Sequence, residues 1–433
     1  FRSFVPHLTA GILSDMTDVA GSKYLSARAR EIISKPPLGY FNHILKCWED
    51  PYSASNPDGY FCLGLAENKC HDAELVEKLN SIRRGPKLGY QMMTGVEDTK
   101  QAVARGFGRW VAPGVKISTD HVVLMNGVGS LVHALALSLG TPGDTFMFPR
   151  PRYPAFPMDT STVAQVGELV CDAVTTAALE AAYKPGCKAL VLTNPGNPAG
   201  DLVSEGEIRE AYAFCQKHNM MLILDEIYGA TVSPKYRSEF KSGLTLWPEL
   251  PEDVVVLWGM SKDFCMSGIR CGVLIATNPA LLQALGTFAI FHGISVTTQQ
   301  DLAAMLSDTA WADDFLRRNA ENRDDMLQVV TDTLTELQIP FVQPKAAIFI
   351  WMDFRQLLEE PTEAGEEKFL CDLMEPPTRM FFTPGRDFRP VDDAFGFFRM
   401  CYLYFDKPGL EEAMRRFKVF VNERRARLSK AKM

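Results

Sequence analysis

Short, continuously apolar segments recur through the middle of the chain and constrain its fold more than any other feature. Each has the length of a strand, and none shows the polar alternation of a strand with one face in water. The predicted strands are His121–Met125, Thr145–Phe148, Ala189–Thr193, Met221–Asp225, Val254–Trp258 and Val273–Ala276. Helical patterns separate them, for example Ser204–His218, which is acidic early and basic late. We therefore predict an α/β fold in which helices cover both faces of a mainly parallel sheet.

The two ends of the sequence have a different texture from the middle. Leu25–Ala66 is rich in proline, glycine and aromatic residues and shows no clear alternation. From about Trp311 the pattern predicts a long charged helix, then the apolar strand Ala346–Trp351, then a closing helix from Gly409 to Arg427. Glu359–Glu367 has the composition of a solvated loop.

These differences divide the chain into three predicted parts. Residues 1–66 form an N-terminal segment that contributes to a small domain. Residues 67–310 form a large α/β domain, and residues 311–433 complete the small α+β domain.

Composition excludes several classes of partner. The 433 residues include 45 Lys and Arg against 53 Asp and Glu, which gives a formal net charge of −8. This balance provides no electrostatic footprint for nucleic acid or an anionic membrane, and no apolar run approaches the roughly 20 residues that cross a bilayer. Phe1–Phe4 does not begin a signal peptide. Ten scattered cysteines without a C-x-x-C pair, and seven histidines without H-E-x-x-H, predict a cytoplasmic protein with reduced thiols and no metal site.

A lysine that follows the predicted strand Val254–Trp258 is the most informative single residue. Lys262 stands among small and apolar residues in the segment Ser261-Lys262-Asp263-Phe264. Poor solvation lowers the pKa of a lysine and makes its amine available as a nucleophile. A surface lysine after a strand is the simpler interpretation, and the segments upstream bear on the choice.

Two further polar segments follow earlier strands. Asp225 ends the apolar strand Met221–Asp225 and is followed closely by Tyr228. A buried carboxylate is costly unless it meets a cation such as a protonated pyridine nitrogen, although Asp is also a common helix N-cap. Thr193–Gly200 contains two Asn-Pro pairs and two glycines, which force a turn. Because open α/β sheets bind ligands at the carboxyl ends of their strands, these segments and Lys262 are predicted to form one site.

Together these motifs resemble those of fold-type I pyridoxal 5'-phosphate (PLP) enzymes of the class I aminotransferase family, in particular the 1-aminocyclopropane-1-carboxylate (ACC) synthase-like branch. The matching segments are Tyr40-Phe41, Leu63–Asn68, Pro149–Pro154, Thr193–Gly200, Asp225–Tyr228, Ser261–Arg270, Leu302–Asp308 and Phe398–Cys401. The likeness runs from about residue 40 to residue 401 and is more specific for the cofactor than for the reaction. It implies fold type I, a large PLP-binding domain and a homodimer with sites at the subunit interface.

The resemblance also implies roles for the central residues. Lys262 would form the internal aldimine with PLP and later move the substrate's α-proton. Asp225 would keep the pyridine nitrogen protonated, and Tyr228 and Asn197 would hydrogen-bond the ring hydroxyl. Tyr153 matches the aromatic residue that stacks on the ring, with a core tyrosine as the alternative.

Substrate contacts are implied for residues from both ends of the chain. Arg399 would bind the α-carboxylate as a bidentate fork, for which arginine geometry is suited, or else form a structural ion pair. In relatives the segment containing Ala66 and Glu67 lies over the substrate, to which Asn197 is also directed.

The phosphate group would be bound by three elements. Arg270 follows Lys262 by eight residues, as in the family. Val128 and Gly129 would donate backbone N–H groups at a helix N-terminus. Relatives usually carry a serine three residues before the lysine, where this chain has Gly259, and Ser261 is the candidate replacement.

One departure concerns the reaction. In ACC synthases a tyrosine two residues before the next glycine reaches into the partner subunit's site, and here Met93 occupies that place before Gly95. Tyr90 is the alternative if the loop shifts. With Met93 there, ring closure with loss of a γ-sulfonium group is in doubt, and so is ordinary transamination.

Four more residues are ambiguous in the sequence. Arg152 and Arg386 stand where relatives often carry Tyr and Ser. Either could lie on the surface, or both could line the pocket mouth and select a substrate with a second anionic group. Cys62 and Cys70 flank the Ala66–Glu67 segment and are interpreted as small core residues.

These features predict a PLP enzyme acting on an α-amino acid through an external aldimine and a quinonoid. We favour a carbon–sulfur lyase performing β-elimination in secondary metabolism, as in fungal members of the ACC synthase-like branch. The alternatives are an aminotransferase for aromatic or large neutral amino acids, ACC synthase-like α,γ-elimination, and a catalytically silent regulator with the same fold. The intact Lys262, Asp225 and Arg270 disfavour the regulator.

Overall fold

The computed structural model describes residues 23–34, 38–83, 85, 88–390 and 394–431. Phe1–Phe4, where we predict no signal peptide, and part of the predicted segment 1–66 lie outside the described residues. The strands are β1 Phe61–Cys62, β2 Val122–Met125, β3 Thr145–Pro149, β4 Gly167–Cys171, β5 Cys187–Thr193, β6 Met221–Asp225, β7 Val254–Gly259, β8 Gly272–Ile275, β9 Phe341–Val342, β10 Phe349–Asp353, β11 Met380–Phe381, β12 Thr383–Pro384 and β13 Phe397–Cys401.

The helices of the described residues vary widely in length. They are α1 Ala27–Ile33, α2 Phe41–Glu49, α3 Asp72–Ser81, α4 Glu97–Trp110, α5 Val128–Leu139, α6 Phe156–Ser161, α7 Thr176–Ala182, α8 Glu205–His218, α9 Met260–Asp263, α10 Pro279–His292, α11 Val296–Ser307, α12 Thr309–Glu336, α13 Glu363–Met374 and α14 Lys407–Ala431.

A seven-stranded sheet occupies the centre, in the order β2-β8-β7-β6-β5-β3-β4. Only β8 runs against its neighbours, β2 and β7, and the other adjacent pairs are parallel. Both faces are covered: on β7, Val254, Val256 and Trp258 pack into one apolar core, and Val255 and Leu257 into another. The predicted α/β architecture with a mainly parallel sheet is therefore confirmed, and the continuously apolar strands are explained by burial on both faces.

The predicted element boundaries are close to the observed ones. Strand β2 begins at Val122, because Thr119–His121 forms a 3-10 turn whose N-cap, Ser118, accepts the Asp120 N–H. Ser204 is the N-cap of α8, and its hydroxyl oxygen and the Glu207 side chain form a capping box. Sequence reasoning missed β4, which pairs only with β3 at the sheet edge and has no continuous apolar run.

A second, antiparallel sheet has the order β12-β13-β10-β9. The observed strand β10, Phe349–Asp353, begins and ends slightly later in the chain than the predicted strand Ala346–Trp351. Strand β1, near the start of the described chain, pairs in parallel with β11, joining Phe61 to Met380. The two sheets draw on residues 122–275 and 341–401, while the domain limits after residues 66 and 310 stay predictions.

The predicted solvated loop Glu359–Glu367 is wrong over its second half. Helix α13 begins at Glu363 and is capped by Thr362, whose hydroxyl oxygen accepts the Gly365 N–H at 3.1 Å. Glu366 is fully buried, where its carboxylate accepts the Gly396 N–H at 2.6 Å. The acidic composition of this segment predicts exposure, and it gives no sign that Glu366 bonds to Gly396, 30 residues further along the chain.

Among the described residues, no single helix is long and apolar enough to cross a membrane. One helix pair, α10 and α11, passes that test of length and composition together, but it is bent by 114° at the break.

Candidate active site

Polar segments from neighbouring strands meet at the carboxyl edge of the central sheet. Thr193, the last residue of β5, pairs with Asp225 of β6, which pairs with Leu257 of β7. The turn containing Asn197 and the short helix α9 containing Lys262 follow directly. Parallel pairing thus places the three segments side by side, as predicted from their order in the sequence.

Lys262 supplies the amine of the site. Its Nζ donates a hydrogen bond to the Ala66 carbonyl at 2.6 Å. The residue as a whole is only partly buried, but its amine lies among buried groups. Burial lowers the pKa of Lys262 to about 8, and the positive charge of Arg399 acts in the same direction. With this pKa about a fifth of the amine is neutral at pH 7.4, and this neutral form can act as a nucleophile or a proton acceptor.

Asp225 is a carboxyl group enclosed at the sheet edge, with 4% of the residue exposed. One oxygen accepts the Ile227 N–H at 3.3 Å. Burial raises the pKa of Asp225 to about 7, while that hydrogen bond and the charge of Lys262 act in the opposite direction. A cation bound against this oxygen would return the carboxyl to its charged form.

Two tyrosines, the buried Tyr228 and the partly buried Tyr153, lie near Asp225. Tyr228 packs edge-on against Phe349, with ring centroids 5.3 Å apart. Burial raises the pKa values of Tyr228 and Tyr153 well above the ordinary tyrosine range, and the charges of Asp225 and Arg399 influence both. Both phenols are therefore neutral hydrogen-bond donors within the same enclosure.

Arg399, on β13, supplies a buried cation that is 3% exposed. Its guanidinium donates to Asn197 Oδ1 at 3.1 Å and to the Gly64 carbonyl at 2.7 Å. It also lies about 5 Å from the rings of Phe349 and Phe388, while its Nε has no partner. These hydrogen-bond acceptors are neutral, so the cation is uncompensated in this part of the described chain and can receive an anion.

A glycine-lined cradle faces Arg270. Gly127 precedes helix α5 with φ +107°, and a Cβ added there would lie 2.3 Å from Arg270 Nη2. The backbone N–H groups of Val128 and Gly129 begin helix α5, where a helix favours an anion. Ser261, on the same short helix as Lys262, is partly buried. These groups are suited to a phosphate, and the cationic pocket beside Asp225 and Lys262 suits a pyridine aldehyde.

Sequence reasoning missed Asp159, on helix α6. Its Oδ1 lies 3.3 Å from where a Cβ on Gly129 would be. Burial raises the pKa of Asp159 to about 7, and the charge of Asp225 raises it further while Arg270 lowers it. A single aspartate inside a short helix carries no sequence signal of this neighbourhood, since the sheet and the α5 turn create it.

The Ala66–Glu67 segment lies next to the Lys262 amine, and its predicted position over a substrate stays a prediction. Ala66 contributes its carbonyl rather than its side chain. Glu67 Oε1 accepts the Ser267 hydroxyl at 2.5 Å, and its backbone carbonyl accepts the Cys401 thiol at 3.1 Å. This segment is thus fixed to the 3-10 turn Ser267–Ile269 and to strand β13.

Arg152 is not on the surface, which corrects one of the two predicted interpretations. It is 8% exposed, and Nε and Nη2 donate to the two carboxylate oxygens of Glu168 at 2.9 and 3.2 Å. Its Nη1 donates to the Asp387 carbonyl at 2.6 Å. The guanidinium is therefore a structural ion pair.

Arg386 is also compensated. Its guanidinium donates to Glu366 at 3.3 Å and to Glu367 at closer range. The predicted role of Arg386 and Arg152 as receptors for a second substrate anion loses its basis, because carboxylates of the protein already occupy both.

The cysteines flanking this segment are packed. Cys62 is buried beside Cys47. Cys70 is partly buried, and its thiol donates to the carbonyls of Leu403 and Phe405 at 3.5 and 3.4 Å. Packing accounts for both residues.

Met93 and Tyr90 lie at the edge of an exposed apolar surface. Tyr90 is 95% exposed, whereas Met93 is partly buried, with Sδ 3.7 Å from where a Cβ on Gly293 would lie. The surface, here named the α10 patch, borders a cavity of about 660 Å³ and includes Leu88, Tyr90, Met92, Ile290 and Phe291. An apolar patch of this kind is typical of a protein interface.

Comparison with known proteins agrees with this geometry. The family model "Aminotransferase class I and II" matches residues 62–417. A 1-aminocyclopropane-1-carboxylate synthase of Glycine max is 29% identical, over 90% of this chain and 88% of the relative. A second, number 4 of Solanum lycopersicum, is also 29% identical, over 94% of this chain and 91% of its own length.

Solved structures show the same fold at lower identity. An aspartate aminotransferase from Rhizobium meliloti superposes with a TM-score of 0.78 at 19% identity, over 93% of this chain and 99% of its own. An alanine aminotransferase from Pyrococcus furiosus gives a TM-score of 0.76 at 21% identity, over 92% of this chain and 100% of its own.

Proposed function

The chain belongs to the class I and II aminotransferase family, and from this premise we propose that it is a lyase that cleaves the carbon–sulfur bond of an S-substituted cysteine. Proteins of this family are PLP-dependent enzymes of fold type I. The observation that carries the PLP-dependent part of the proposal is that the hydrogen-bond partners of Lys262, Asp225 and Arg399 in the described chain are neutral groups, whereas Arg152 and Arg386 are paired with carboxylates.

The residues of the site are suited to hold PLP. Asp225 would pair with the protonated pyridine nitrogen, and Tyr228 and Asn197 would hydrogen-bond the ring hydroxyl. Tyr153 would cover the ring face. When bound, PLP supplies an aldehyde for the amine and a ring that accepts the electrons released at the substrate's α-carbon.

The phosphate would be held between Arg270 and the turn at Gly127 that precedes helix α5. Arg270 would pair with it, the N–H groups of Val128 and Gly129 would bind its oxygens at the start of helix α5, and Ser261 would add a hydroxyl donor. The lack of room for a side chain at Gly127 supports this assignment, since a Cβ there would collide with Arg270.

Arg399 would bind and orient the substrate through its α-carboxylate. A bidentate carboxylate replaces the neutral acceptors with a charged one in a desolvated place, where such a pair is strongest. Asn197, held by Arg399 Nη1 at 3.1 Å, would be part of the same contact. The α-hydrogen is thereby presented on a fixed side, toward Lys262.

Lys262 would take the α-proton at Nζ. Its pKa of about 8 places the amine near the optimum for proton transfer at neutral pH. Ala66, whose carbonyl accepts an N–H at 2.6 Å, would orient the remaining lone pair, and Glu67 would close the segment over it.

The substrate side chain is proposed to be neutral. Arg152 and Arg386, the predicted receptors for a second anion, are bound to Glu168 and to Glu366 with Glu367. An amino acid with a second carboxylate would have to displace these pairs, which is costly for partly buried charges. An uncharged thioether side chain meets no such barrier.

The choice of β-elimination rests on Met93. Its thioether packs toward Gly293 and has no hydroxyl. A reaction that needs a phenol at this position is therefore disfavoured.

The second candidate is ACC synthase-like α,γ-elimination. Its support is the likeness to plant 1-aminocyclopropane-1-carboxylate synthases across 90% or more of the chain. Transamination is third, on the fold shared with aspartate and alanine aminotransferases.

One comparison separates the three reactions. The PLP-loaded enzyme is incubated with S-methyl-L-cysteine alone, with S-adenosylmethionine alone, and with L-phenylalanine plus 2-oxoglutarate. Pyruvate and thiol in the first arm indicate the lyase, ACC in the second the synthase, and acceptor-dependent glutamate in the third the aminotransferase. The lyase proposal is rejected if only the second or third arm gives product.

We also propose a homodimer formed through the α10 patch. Leu88, Met92 and Phe291 expose large apolar surfaces that a second copy would cover, and Met93 lies at their border. Sedimentation at micromolar concentration should give twice the chain mass, and Phe291→Asp should give monomers. A cytoplasmic location is proposed on the ten cysteine thiols without a disulfide, and a role in secondary metabolism on the proposed lyase activity.

A further inference from the structure

A buried polar network extends from Lys262 away from the pocket. The next residue, Asp263, is fully buried on helix α9, and its carboxylate has different partners from the Lys262 amine. Its Oδ2 accepts the Trp258 indole N–H at 2.7 Å and the Ala230 backbone N–H at 2.9 Å. A single carboxylate oxygen thus joins the strand before Lys262 to another loop of the site.

That other loop is the one containing Tyr228. Ala230 lies two residues after Tyr228, in the 3-10 turn Gly229–Thr231. The Thr231 hydroxyl donates to the Tyr228 carbonyl at 2.7 Å and accepts the Ala347 N–H at 2.8 Å. Asp263 therefore fixes the distance between the Lys262 helix and the turn that follows Tyr228.

The backbone of Asp263 connects to a third segment. Its carbonyl accepts the Asn319 Nδ2–H at 3.4 Å, and Asn319 Oδ1 accepts the Asn68 Nδ2–H at 2.8 Å. Asn68 Oδ1 in turn accepts the Cys70 N–H at 3.0 Å. Both asparagines are buried. Asn68 lies two residues after Ala66, whose carbonyl receives the Lys262 amine.

We propose that Asp263, Asn319 and Asn68 are positioning residues that hold the Lys262 amine against the Ala66 carbonyl. These residues bond to the segments that carry the site residues, and they do not themselves contact substrate or cofactor. It joins the three segments that carry Lys262, Tyr228 and Ala66, so that the amine has one resting place whenever it is free. This inference rests on the proposed role of Lys262 in moving the α-proton.

The physical reason is the cost of unsatisfied buried polar groups. Each amide of Asn319 and Asn68 has its partner only when helix α12 and the Ala66–Glu67 segment keep their present spacing. A lysine side chain has many rotamers, and a proton acceptor must lie close to the correct geometry in order to act. The network fixes the position of the Ala66 carbonyl, and this carbonyl then holds the Lys262 amine by a hydrogen bond.

The test compares two truncations on the same helix. Asn319→Ala removes both amide links, whereas Thr333→Ala removes a buried hydroxyl that donates to Val329 at 3.0 Å, outside the network. Cofactor-free protein is analysed by hydrogen exchange of the 66–70 segment and by the rate at which added PLP is trapped on Lys262 with borohydride. Loaded enzyme is analysed by exchange of the α-proton of L-alanine in D₂O.

In Asn319→Ala we expect exchange in the 66–70 segment to be at least about 10-fold faster than in wild type. The α-proton exchange should lose about 10-fold in kcat with KM changed less than about 2-fold, because binding by Arg399 is intact. PLP trapping should slow, and Thr333→Ala should match wild type in all three measurements.

A second pair keeps the test valid if Asn319→Ala does not fold. Asp263→Asn preserves one acceptor oxygen for Trp258 and Ala230, and should keep kcat near wild type. Asp263→Ala should reproduce the kcat loss of Asn319→Ala. The inference is overturned if Asn319→Ala and Asp263→Ala exchange and turn over like Thr333→Ala. If wild type itself fails to trap PLP at Lys262, the proposed function has failed instead.

Discussion

The cationic side chains of the pocket and those of its rim differ in their partners: the first bond to neutral groups and the second to carboxylates. Arg399 is held by neutral oxygens, and Lys262 donates to a carbonyl. Arg152 and Arg386 are bound to carboxylates. An uncompensated buried charge destabilises the protein until a ligand arrives, whereas a compensated one stabilises it without a ligand.

The comparison also separates the carboxyl groups. Asp225 has a pKa raised to about 7 by burial and has only a backbone donor. Glu168 on the rim receives two guanidinium hydrogen bonds. Pocket residues should therefore affect activity when replaced and cost little stability, and rim residues should do the reverse.

The largest expected effect is that of Lys262→Ala. Loss of the amine should abolish the visible absorbance of bound PLP and lower the elimination rate at least about 10⁴-fold. Absorbance and mass spectrometry after borohydride reduction measure this. Lys217→Ala is the control, since its exposed amine donates to Glu180 at 2.6 Å on the protein surface. An unchanged spectrum in Lys262→Ala would refute the central assignment.

Arg399→Ala should lower kcat/KM about 10³-fold, because the substrate carboxylate loses a desolvated charged partner, equivalent to roughly 4 kcal/mol. The free energy of unfolding should not fall, since an uncompensated cation is removed. Steady-state kinetics and urea unfolding of the same preparation provide both numbers. A loss of stability with normal kinetics would place Arg399 in the same class as Arg152.

Asp225→Asn should stabilise the cofactor-free protein at pH 8. The folded carboxyl has a pKa of about 7 instead of 3.8, so it binds a proton between pH 7 and 4 that the unfolded chain lacks. Its contribution therefore makes wild type more stable as pH falls through that window and less stable above it, by roughly 2–4 kcal/mol.

The Asn variant should show a flatter stability profile between pH 4 and 8, together with weaker PLP binding. Urea unfolding across that range checks the first expectation and fluorescence titration with PLP the second. Equal stability of the two proteins at pH 8 would show that the carboxylate is better solvated than its surroundings indicate.

The smallest effect is expected on the rim. Arg152→Ala leaves Glu168 without its partner and should cost about 2 kcal/mol of stability, while kcat/KM for S-methyl-L-cysteine should change less than about 2-fold. Arg150→Ala is the control, because its partner Asp172 is largely exposed and the pair contributes less than about 1 kcal/mol. A large rise in KM for Arg152→Ala would return this residue to the pocket.

Much of the fold and the centre of the site could be predicted from local pattern. Continuous apolar runs such as Val254–Trp258 report burial on both faces, and parallel pairing then places Asp225 and Lys262 at one edge. The acidic start and basic end of Ser204–His218 predicted helix α8, for which the structure shows Ser204 as the N-cap. These signals are readable because each depends on residues a few positions apart.

The misses share a cause. The segment around Glu366 is predicted to be solvated from its acidic composition, but Glu366 is buried, where it accepts the N–H of Gly396. Asp159 carried no signal because the turn before α5 and Arg270 come from other parts of the chain. Pairings of this kind join residues that are distant in sequence, so composition and periodicity do not contain them.

By itself, the sequence determined the chemistry available to this protein: an aspartate at the end of one strand, a lysine shortly after another and an arginine within a third, in the order typical of PLP enzymes. The tertiary structure alone decided which charges are free to act. Arg399, Arg152 and Arg386 are the same residue type, and only the position of Glu168, Glu366 and Glu367 distinguishes them. The reason is that a residue's charge is a property of its side chain, whereas its compensation is a property of its neighbours in space.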